Sequence, residues 1–133
     1  MIAGVADTHV VIWYLDNDQR LSTAAGAFID GAAGDGDQIG VSPITVVEAI
    51  YLAEKGRVPA ETLPRMLRVL RSPDGVFVEV PFNLEVAQTL GSVDRSRVPD
   101  MPDRIVAATA LHLRVPIISR DSTIQVSGID TIW

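Results

Sequence analysis

Acidic side chains fall at places in the sequence where a carboxylate could take part in catalysis or bind a cation. Asp7 ends the first apolar run of the chain, and Asp121 follows a later one. Glu48 lies among mostly apolar neighbours, while Asp100 and Asp103 stand just before the apolar stretch 105–108. Each position also has an ordinary structural explanation. Asp7 could be a helix N-cap, and for Asp100 this is the favoured interpretation. Glu48 could lie on the solvated face of a helix. Asp121 could be a turn residue.

Short apolar, β-branched runs alternate along the chain with helical patterns. We predict strands at 2–6, 38–41, 76–80, 115–119 and 129–133, and helices over about 10–15, 22–33, 43–55, 59–71, 83–91 and 100–113. Short β-branched strands separated by helices are typical of a parallel sheet that is buried on both faces. The predicted fold is α/β. It is one domain over residues 1–133, with three α/β/α layers and a central, mostly parallel sheet of four or five short strands.

Such a fold would gather the acidic residues. Ligands of open parallel sheets bind outside the carboxyl ends of the strands, near a topological switch point. Asp7 and Asp121 would lie at that edge, and Glu48 and Asp103 could reach it from helices. Carboxylates in one cleft repel each other unless cations neutralise them, and Mg²⁺ and Mn²⁺ prefer oxygen ligands. Because bound ions of this kind activate water and stabilise the charge of phosphoryl transfer, the pattern favours phosphodiester hydrolysis.

The composition excludes several other classes of protein. The chain has no cysteine, which rules out thiol catalysis, disulfide scaffolds and thiolate zinc sites, and it has only two histidines. Its net charge of −6 is a weak objection to a nucleic-acid partner, since bound cations would reverse the local sign. Without a long apolar run or a basic N-terminal region, we expect a soluble cytoplasmic protein with no membrane segment.

Four segments resemble the motifs of PIN-domain proteins. The first strand and the helix after it read VADTHVVIW from Val5, and the second motif reads SPITVVE from Ser42. The third, which is the most diagnostic, reads DMPDRIVAATA from Asp100, and the fourth reads VPIISRD from Val115. The motifs occur in the family's order and spacing and span nearly the whole chain. The resemblance is greatest to the VapC toxins of bacterial and archaeal toxin–antitoxin pairs.

The resemblance implies an endoribonuclease that uses one or two Mg²⁺ or Mn²⁺ ions, is held inactive by a cognate antitoxin and forms a homodimer. Asp7, Glu48, Asp103 and Asp121 match the family's four acidic positions, which implies catalytic and metal-binding roles. Asp100 matches an additional acid of a subset of the family and is a further candidate ligand.

Polar and basic residues near these acids are candidates for binding RNA or for holding the acids. The hydroxyls of Thr8 and Ser119 match polar family positions beside the acids, where they could hold an acid or a metal-bound water. Arg95 and Arg97 lie in the loop that leads to the third motif, so they could contact RNA. Arg104 and Arg120 flank site acids and could touch phosphate or pair with those acids.

Aromatic residues beside the first motif have two interpretations. Trp13 and Tyr14 could stack on a base or receive a partner helix, although packing against the sheet is the favoured role for at least one of them. For His9, a position on the helix surface is favoured over one that faces the cleft.

Two other functional classes remain as alternatives. The first is a non-catalytic PIN-like module that binds RNA or protein, against which the intact acids argue. The second is an acid-rich phosphatase or a phosphotransfer receiver domain. A receiver would need paired acids near its start and a lysine late in the chain, whereas the only lysine here is Lys55.

Overall fold

The computed structural model describes residues 1–125 and 127–133, and in these residues it contains five strands and seven α-helices. The strands are β1 (Ile2–Ala6), β2 (Gln38–Val41), β3 (Phe77–Glu79), β4 (Ile117–Ile118) and β5 (Thr131–Ile132). The helices are α1 (Thr8–Leu15), α2 (Thr23–Gly34), α3 (Pro43–Glu54), α4 (Thr62–Arg71), α5 (Leu84–Thr89), α6 (Met101–Leu113) and α7 (Ser122–Gln125).

The sheet has the strand order β3-β2-β1-β4-β5, and every neighbouring pair is parallel. This confirms the predicted α/β fold and all five predicted strands. The last three strands are shorter than predicted, because a strand ends where its backbone stops pairing with a neighbour, and apolar composition does not mark that point. The chain adds β2 and β3 on one side of β1 and then returns to add β4 on the other side. The point where the direction of winding reverses therefore lies between β1 and β4.

Two apolar cores lie on the two faces of the sheet. One joins α1, α2 and α4 to sheet residues such as Ile39, Phe77 and Ile118. The other joins α5, α6 and α7 to Val5 and Ile117. Successive residues of a strand point to opposite faces, so neighbouring residues such as Ile117 and Ile118 serve different cores. The sheet is buried on both faces, which is why its strands are continuously apolar.

The helices begin where the sequence places capping side chains. Asp7, Ser22, Ser42, Asn83 and Asp100 are all N-caps whose side chains accept a hydrogen bond from a backbone N–H of the first turn. The structural explanation for Asp7 and Asp100 is therefore correct, and it does not prevent either carboxylate from facing a site.

Three helices differ from their predicted bounds. The helix expected from about residue 10 begins at Thr8, directly after its N-cap Asp7. The helix expected after Pro59 begins at Thr62, and Glu61 before it makes no side-chain cap. The helix expected over 83–91 is α5 followed by a 3₁₀ turn at Leu90–Ser92. None of the helices in the described residues is both long enough and apolar enough to span a membrane.

Gly40 is required by close packing inside the sheet. A Cβ atom at this position would lie 2.7 Å from Cγ2 of Val80 and 3.3 Å from Cγ2 of Ile2. No side chain larger than hydrogen fits without displacing these neighbours, so Gly40 allows the close packing of β2 against Ile2 of β1 and Val80 after β3.

Candidate active site

The five acids singled out in the sequence line one pocket. The pocket has a volume of about 480 Å³ and lies at the carboxyl ends of β1 and β4, which is where the winding of the sheet reverses. Asp7 follows β1, Asp121 follows β4, Asp100 and Asp103 come from the start of α6, and Glu48 comes from the middle of α3. The described residues thus bring together every acid that the sequence marked as a candidate.

Asp7 is buried and held from two sides. Its side chain is only 8% exposed, and its two oxygens accept hydrogen bonds from the Thr8 N–H at 2.8 Å and from the Ser119 hydroxyl at 2.9 Å. Burial raises the pKa of Asp7, although the two hydrogen bonds oppose the rise. The Ser119 hydroxyl, predicted to stand beside an acid, therefore fixes the direction of Asp7 from across the β1–β4 pair.

Glu48 is held by a chain of two threonine hydroxyls. The Thr8 hydroxyl donates to Oε1 of Glu48 at 2.5 Å and lies 3.2 Å from the Thr45 hydroxyl. Because a hydroxyl has one proton, which Thr8 gives to Glu48, Thr45 must be the donor to Thr8. Burial raises the pKa of Glu48, the Thr8 hydrogen bond lowers it, and the negative charges of Asp7 and Asp100 raise it further.

Asp103 and Asp121 behave as an unequal pair. Burial raises the pKa of Asp103 to about 8, with contributions from the charges of Asp7, Asp121 and Asp100 and from a hydrogen bond to Asp121. Burial would also raise the pKa of Asp121, but hydrogen bonds from the Thr123 hydroxyl and N–H and from Asp103 outweigh it, so the pKa of Asp121 is lowered. Without cations, a proton shared by this pair therefore favours Asp103 over Asp121.

The donor set fits a hard divalent cation. All five acids offer oxygen ligands, and three of them have raised pKa values, because burial disfavours their charged forms and neighbouring negative charges add to the effect. In the described part of the chain, however, no three acidic or histidine side chains already have the arrangement of a formed metal site. Some of the carboxylates, which now accept hydrogen bonds from the protein, would have to rotate to bind one ion together.

The predicted RNA-binding residues lie outside the lining of the pocket. Arg95 and Arg97 are exposed in the loop between α5 and α6, where Arg97 lies 3.8 Å from Asp94. Arg104 turns away from the acids, because its Nη2 donates to the backbone carbonyls of Leu90 and Val93 at 3.0 and 3.1 Å. Arg104 therefore ties the 3₁₀ turn to α6, and it pairs with no acid in the described residues.

Three residues that sequence reasoning left undecided also line the pocket: His9, Trp13 and Arg120. His9 is exposed, as expected, but it also faces the cleft, so the preference for the helix surface was incomplete. His9 and Trp13 are four residues apart on α1, and their ring centroids are 5.5 Å apart. Residues four apart lie on the same face of a helix, so His9 and Trp13 share one face of α1, the helix that Asp7 caps. This four-residue spacing was the feature of the sequence that could have placed both residues at the pocket.

Comparisons with known proteins agree with this architecture. The family model described as PIN domain matches residues 5–126. Ribonuclease VapC22 of Mycobacterium tuberculosis is 28% identical over 125 residues, which cover 94% of this chain and 92% of that protein.

Two solved structures share the fold at low sequence identity. VapBC2 from Rickettsia felis, bound to a DNA fragment from its promoter, superposes with a TM-score of 0.71 at 12% identity, over 98% of this chain and 97% of that one. A toxin–antitoxin complex from Klebsiella pneumoniae superposes with a TM-score of 0.67 at 19% identity, over 98% and 96% of the two chains.

Proposed function

The chain belongs to the PIN domain family, and from that premise we propose that it is a divalent-metal-dependent endoribonuclease and the toxin of a toxin–antitoxin pair. The observation that carries the proposal is the convergence of five carboxylates at the switch point of the sheet. A relative named as a ribonuclease, aligned over nearly the whole of both chains, supports the choice of RNA as substrate.

The acids would hold the metal. We assign Asp7, Glu48, Asp103 and Asp121 as ligands of one or two Mg²⁺ or Mn²⁺ ions, with Asp100 at the N-terminus of α6 as a further ligand. When bound, such an ion would lower the pKa of a water molecule and would also place positive charge beside the phosphodiester. The reaction is hydrolysis by water, without a covalent enzyme intermediate.

The other side chains prepare these acids. Ser119 and the Thr8 N–H keep Asp7 in place, and the Thr8 hydroxyl does the same for Glu48. The carboxyl of Asp103 must release its proton before both of its oxygens can serve as anionic ligands, and a neighbouring positive charge favours that release. A bound cation would therefore lower the electrostatic cost of gathering these carboxylates in one pocket.

An antitoxin and a second copy of the chain are the proposed protein partners. The structural neighbour from Klebsiella pneumoniae is described as a toxin–antitoxin complex, which supports the first. Several large apolar side chains are exposed, among them Leu84 at 78%, Met101 at 64% and Tyr51 at 60%, and partners would cover such side chains. We place the activity in the cytoplasm, where the proposed RNA substrate would be met.

A non-catalytic PIN-like module that binds RNA or protein is the second candidate. One observation favours it, namely that the acids of the described residues are not already arranged as a formed metal site. It predicts RNA binding without cleavage and without specific uptake of Mn²⁺.

The deciding experiment compares the purified wild-type protein, free of any partner, with Asp7→Asn, Asp103→Asn and the control Asp74→Asn. Asp74 is an exposed acid in the turn before β3. It therefore lies at the amino ends of the strands, whereas the pocket lies at their carboxyl ends. Each protein is incubated with total RNA in Mn²⁺ or Mg²⁺ and separately in EDTA.

We expect metal-dependent cleavage by the wild type and by Asp74→Asn, and none by the two site variants. Equal cleavage by all four proteins would indicate a contaminating nuclease and overturn the site assignment. RNA binding without cleavage, together with no Mn²⁺ binding in calorimetry, would favour the non-catalytic module.

A further inference from the structure

Arg120 is a cation in a pocket lined by carboxylates, yet its side chain makes no ion pair or hydrogen bond within residues 1–125 and 127–133. Its guanidinium carbon instead lies 5.7 Å from the centre of the Trp13 ring. Arginine beside acids usually pairs with them, since a charge-assisted, bidentate contact is among the stronger polar interactions of proteins. Here the acids take their hydrogen bonds from threonine, serine and backbone groups, so Arg120 is left exposed and available.

A second arginine on the same ring shows the opposite arrangement. The guanidinium carbon of Arg20 lies 5.2 Å from the centre of the Trp13 ring. Arg20, however, is neutralised by Asp18, which accepts from its Nη2 at 2.7 Å and from its Nε at 3.1 Å. Arg20 also lies outside the lining of the acidic pocket. The two arginines share one aromatic neighbour, but only Arg120 has unused donors beside the site.

Trp13 is suited to keep the Arg120 guanidinium beside the pocket. Trp13 is only 6% exposed, and Trp133 lies against it with ring centroids 6.1 Å apart. A cation–π contact with such a packed ring, here at 5.7 Å, favours positions of the guanidinium near the ring. The unused donors of Arg120 therefore lie at the pocket that both residues line.

We propose that Arg120 binds a phosphodiester of the RNA strand next to the bond that is cleaved, with Trp13 as its support. The inference rests on the proposed function, since it names how that same site takes its substrate. A strand whose cleaved phosphate lies at the acids must continue past the rim of the pocket, where Arg120 and the exposed His9 lie. Phosphate oxygens match the planar fork of guanidinium donors, and the cation of the proposed function would neutralise the acids that otherwise repel an anion.

The test uses the full chain with Asp103→Asn as the parent, so that RNA stays intact. A fluorescein-labelled, single-stranded 12-nucleotide RNA of random sequence is titrated with protein in Mg²⁺, and its anisotropy gives Kd between 50 and 200 mM KCl. Arg120→Gln and Arg120→Lys are compared with the matched control Arg20→Gln, which removes the other guanidinium from the same ring. Circular dichroism confirms that each variant is folded.

For Arg120→Gln we expect a Kd about ten-fold higher than that of the parent. The slope of log K against log salt concentration should be smaller by about 0.7, which is the value of one phosphate contact on a single strand. Arg120→Lys should keep the slope and recover only part of the affinity, because it keeps the charge and loses the fork. Arg20→Gln should bind like the parent. In the active wild-type background, Arg120→Gln should raise KM more than it lowers kcat.

Either of two results would overturn the inference alone. One is an Arg120→Gln variant that binds RNA with the parent's affinity and salt dependence while the wild type cleaves RNA. The other is an equal loss of RNA affinity in Arg20→Gln. That result would mean that packing on Trp13 or the net charge sets the affinity, and that a direct contact of Arg120 with RNA does not. If the parent binds no RNA and the wild type cleaves none, the proposed function and this inference fail together.

Discussion

Replacing Asp103 with asparagine should stabilise the metal-free protein at pH 8, although it should also abolish the proposed cleavage. Asp103 is half-buried beside three other carboxylates, and its pKa is raised to about 8. Asparagine has nearly the same shape, carries no charge at any pH and keeps a donor for the hydrogen bond to Asp121. The substitution therefore removes the cost of burying a negative charge, together with its repulsion by the neighbouring carboxylates, and it leaves the packing as it is.

The sign of the pH dependence follows from where the proton is bound. The folded protein keeps the Asp103 proton up to about pH 8, whereas an unfolded chain releases it near pH 3.9. Between these pH values the folded state binds more protons, so the free energy of unfolding falls as the pH rises. The contribution of protonated Asp103 is complete below about pH 4 and is lost as the pH rises through 8. The advantage of asparagine should grow over the same interval.

The size of the effect is limited by solvent and by Asp121. At about 1.4 kcal/mol per pKa unit, the full shift of Asp103 would correspond to about 6 kcal/mol at pH 8. Water reaches the half-buried carboxyl and screens its charge, and the hydrogen bond that raises the pKa of Asp103 lowers that of Asp121. We therefore expect about 2 kcal/mol, or about 5–10 °C in Tm for a domain of this size.

The assay is thermal unfolding in EDTA at pH 4, 6 and 8 for wild type, Asp103→Asn and the control Asp74→Asn. Asp103→Asn should match the wild type at pH 4 and exceed it at pH 8, while Asp74→Asn should follow the wild type throughout. Saturating Mn²⁺ should raise the Tm of the wild type more than that of Asp103→Asn, because the variant has lost an anionic ligand. A Tm of Asp103→Asn at or below that of the wild type at pH 8 would refute the reasoning from repulsion.

Three further substitutions test other contacts. Thr45→Val should lower kcat about two- to ten-fold, because it removes the donor that supports the hydrogen bond to Glu48, and Thr45→Ser should restore it in the same cleavage assay. Arg104→Met should lower the free energy of unfolding, measured in urea, by about 1–3 kcal/mol, because two backbone carbonyls lose their donor. The RNA affinity of the folded protein should stay unchanged. A loss of RNA affinity without a loss of stability would instead support Arg104 as a substrate-binding residue. Gly40→Ala should cost about 1–3 kcal/mol in the same urea experiment, since the new methyl group would overlap Val80, and an unchanged midpoint would show that β3 can move aside.

Much of the fold could be predicted from local patterns. Continuous apolar strands such as 2–6 and 38–41 indicate a buried parallel sheet, because only burial on both faces removes the need for polar alternation. The caps Ser42 and Asp100 mark their helix starts correctly, since capping depends on side chains and backbone groups within one turn. The lengths of β4 and β5 could not be predicted, because the pairing partner decides where a strand ends.

The sequence by itself determined which carboxylates could meet, because the order of strands and helices sends Asp7, Glu48, Asp103 and Asp121 toward one edge of the sheet. Only the tertiary structure decided how they differ from each other, since the proton on Asp103 depends on burial and on charges that are distant in the chain. The same holds for the arginines. Arg104 and Arg120 both flank acids in the sequence, but Arg104 is bound to two backbone carbonyls. The Arg120 guanidinium, which has no hydrogen-bond partner among the described residues, lies near Trp13 beside the pocket. A side chain's partner is set by which groups folding brings within hydrogen-bonding distance, and the spacing of residues along the chain does not contain that information.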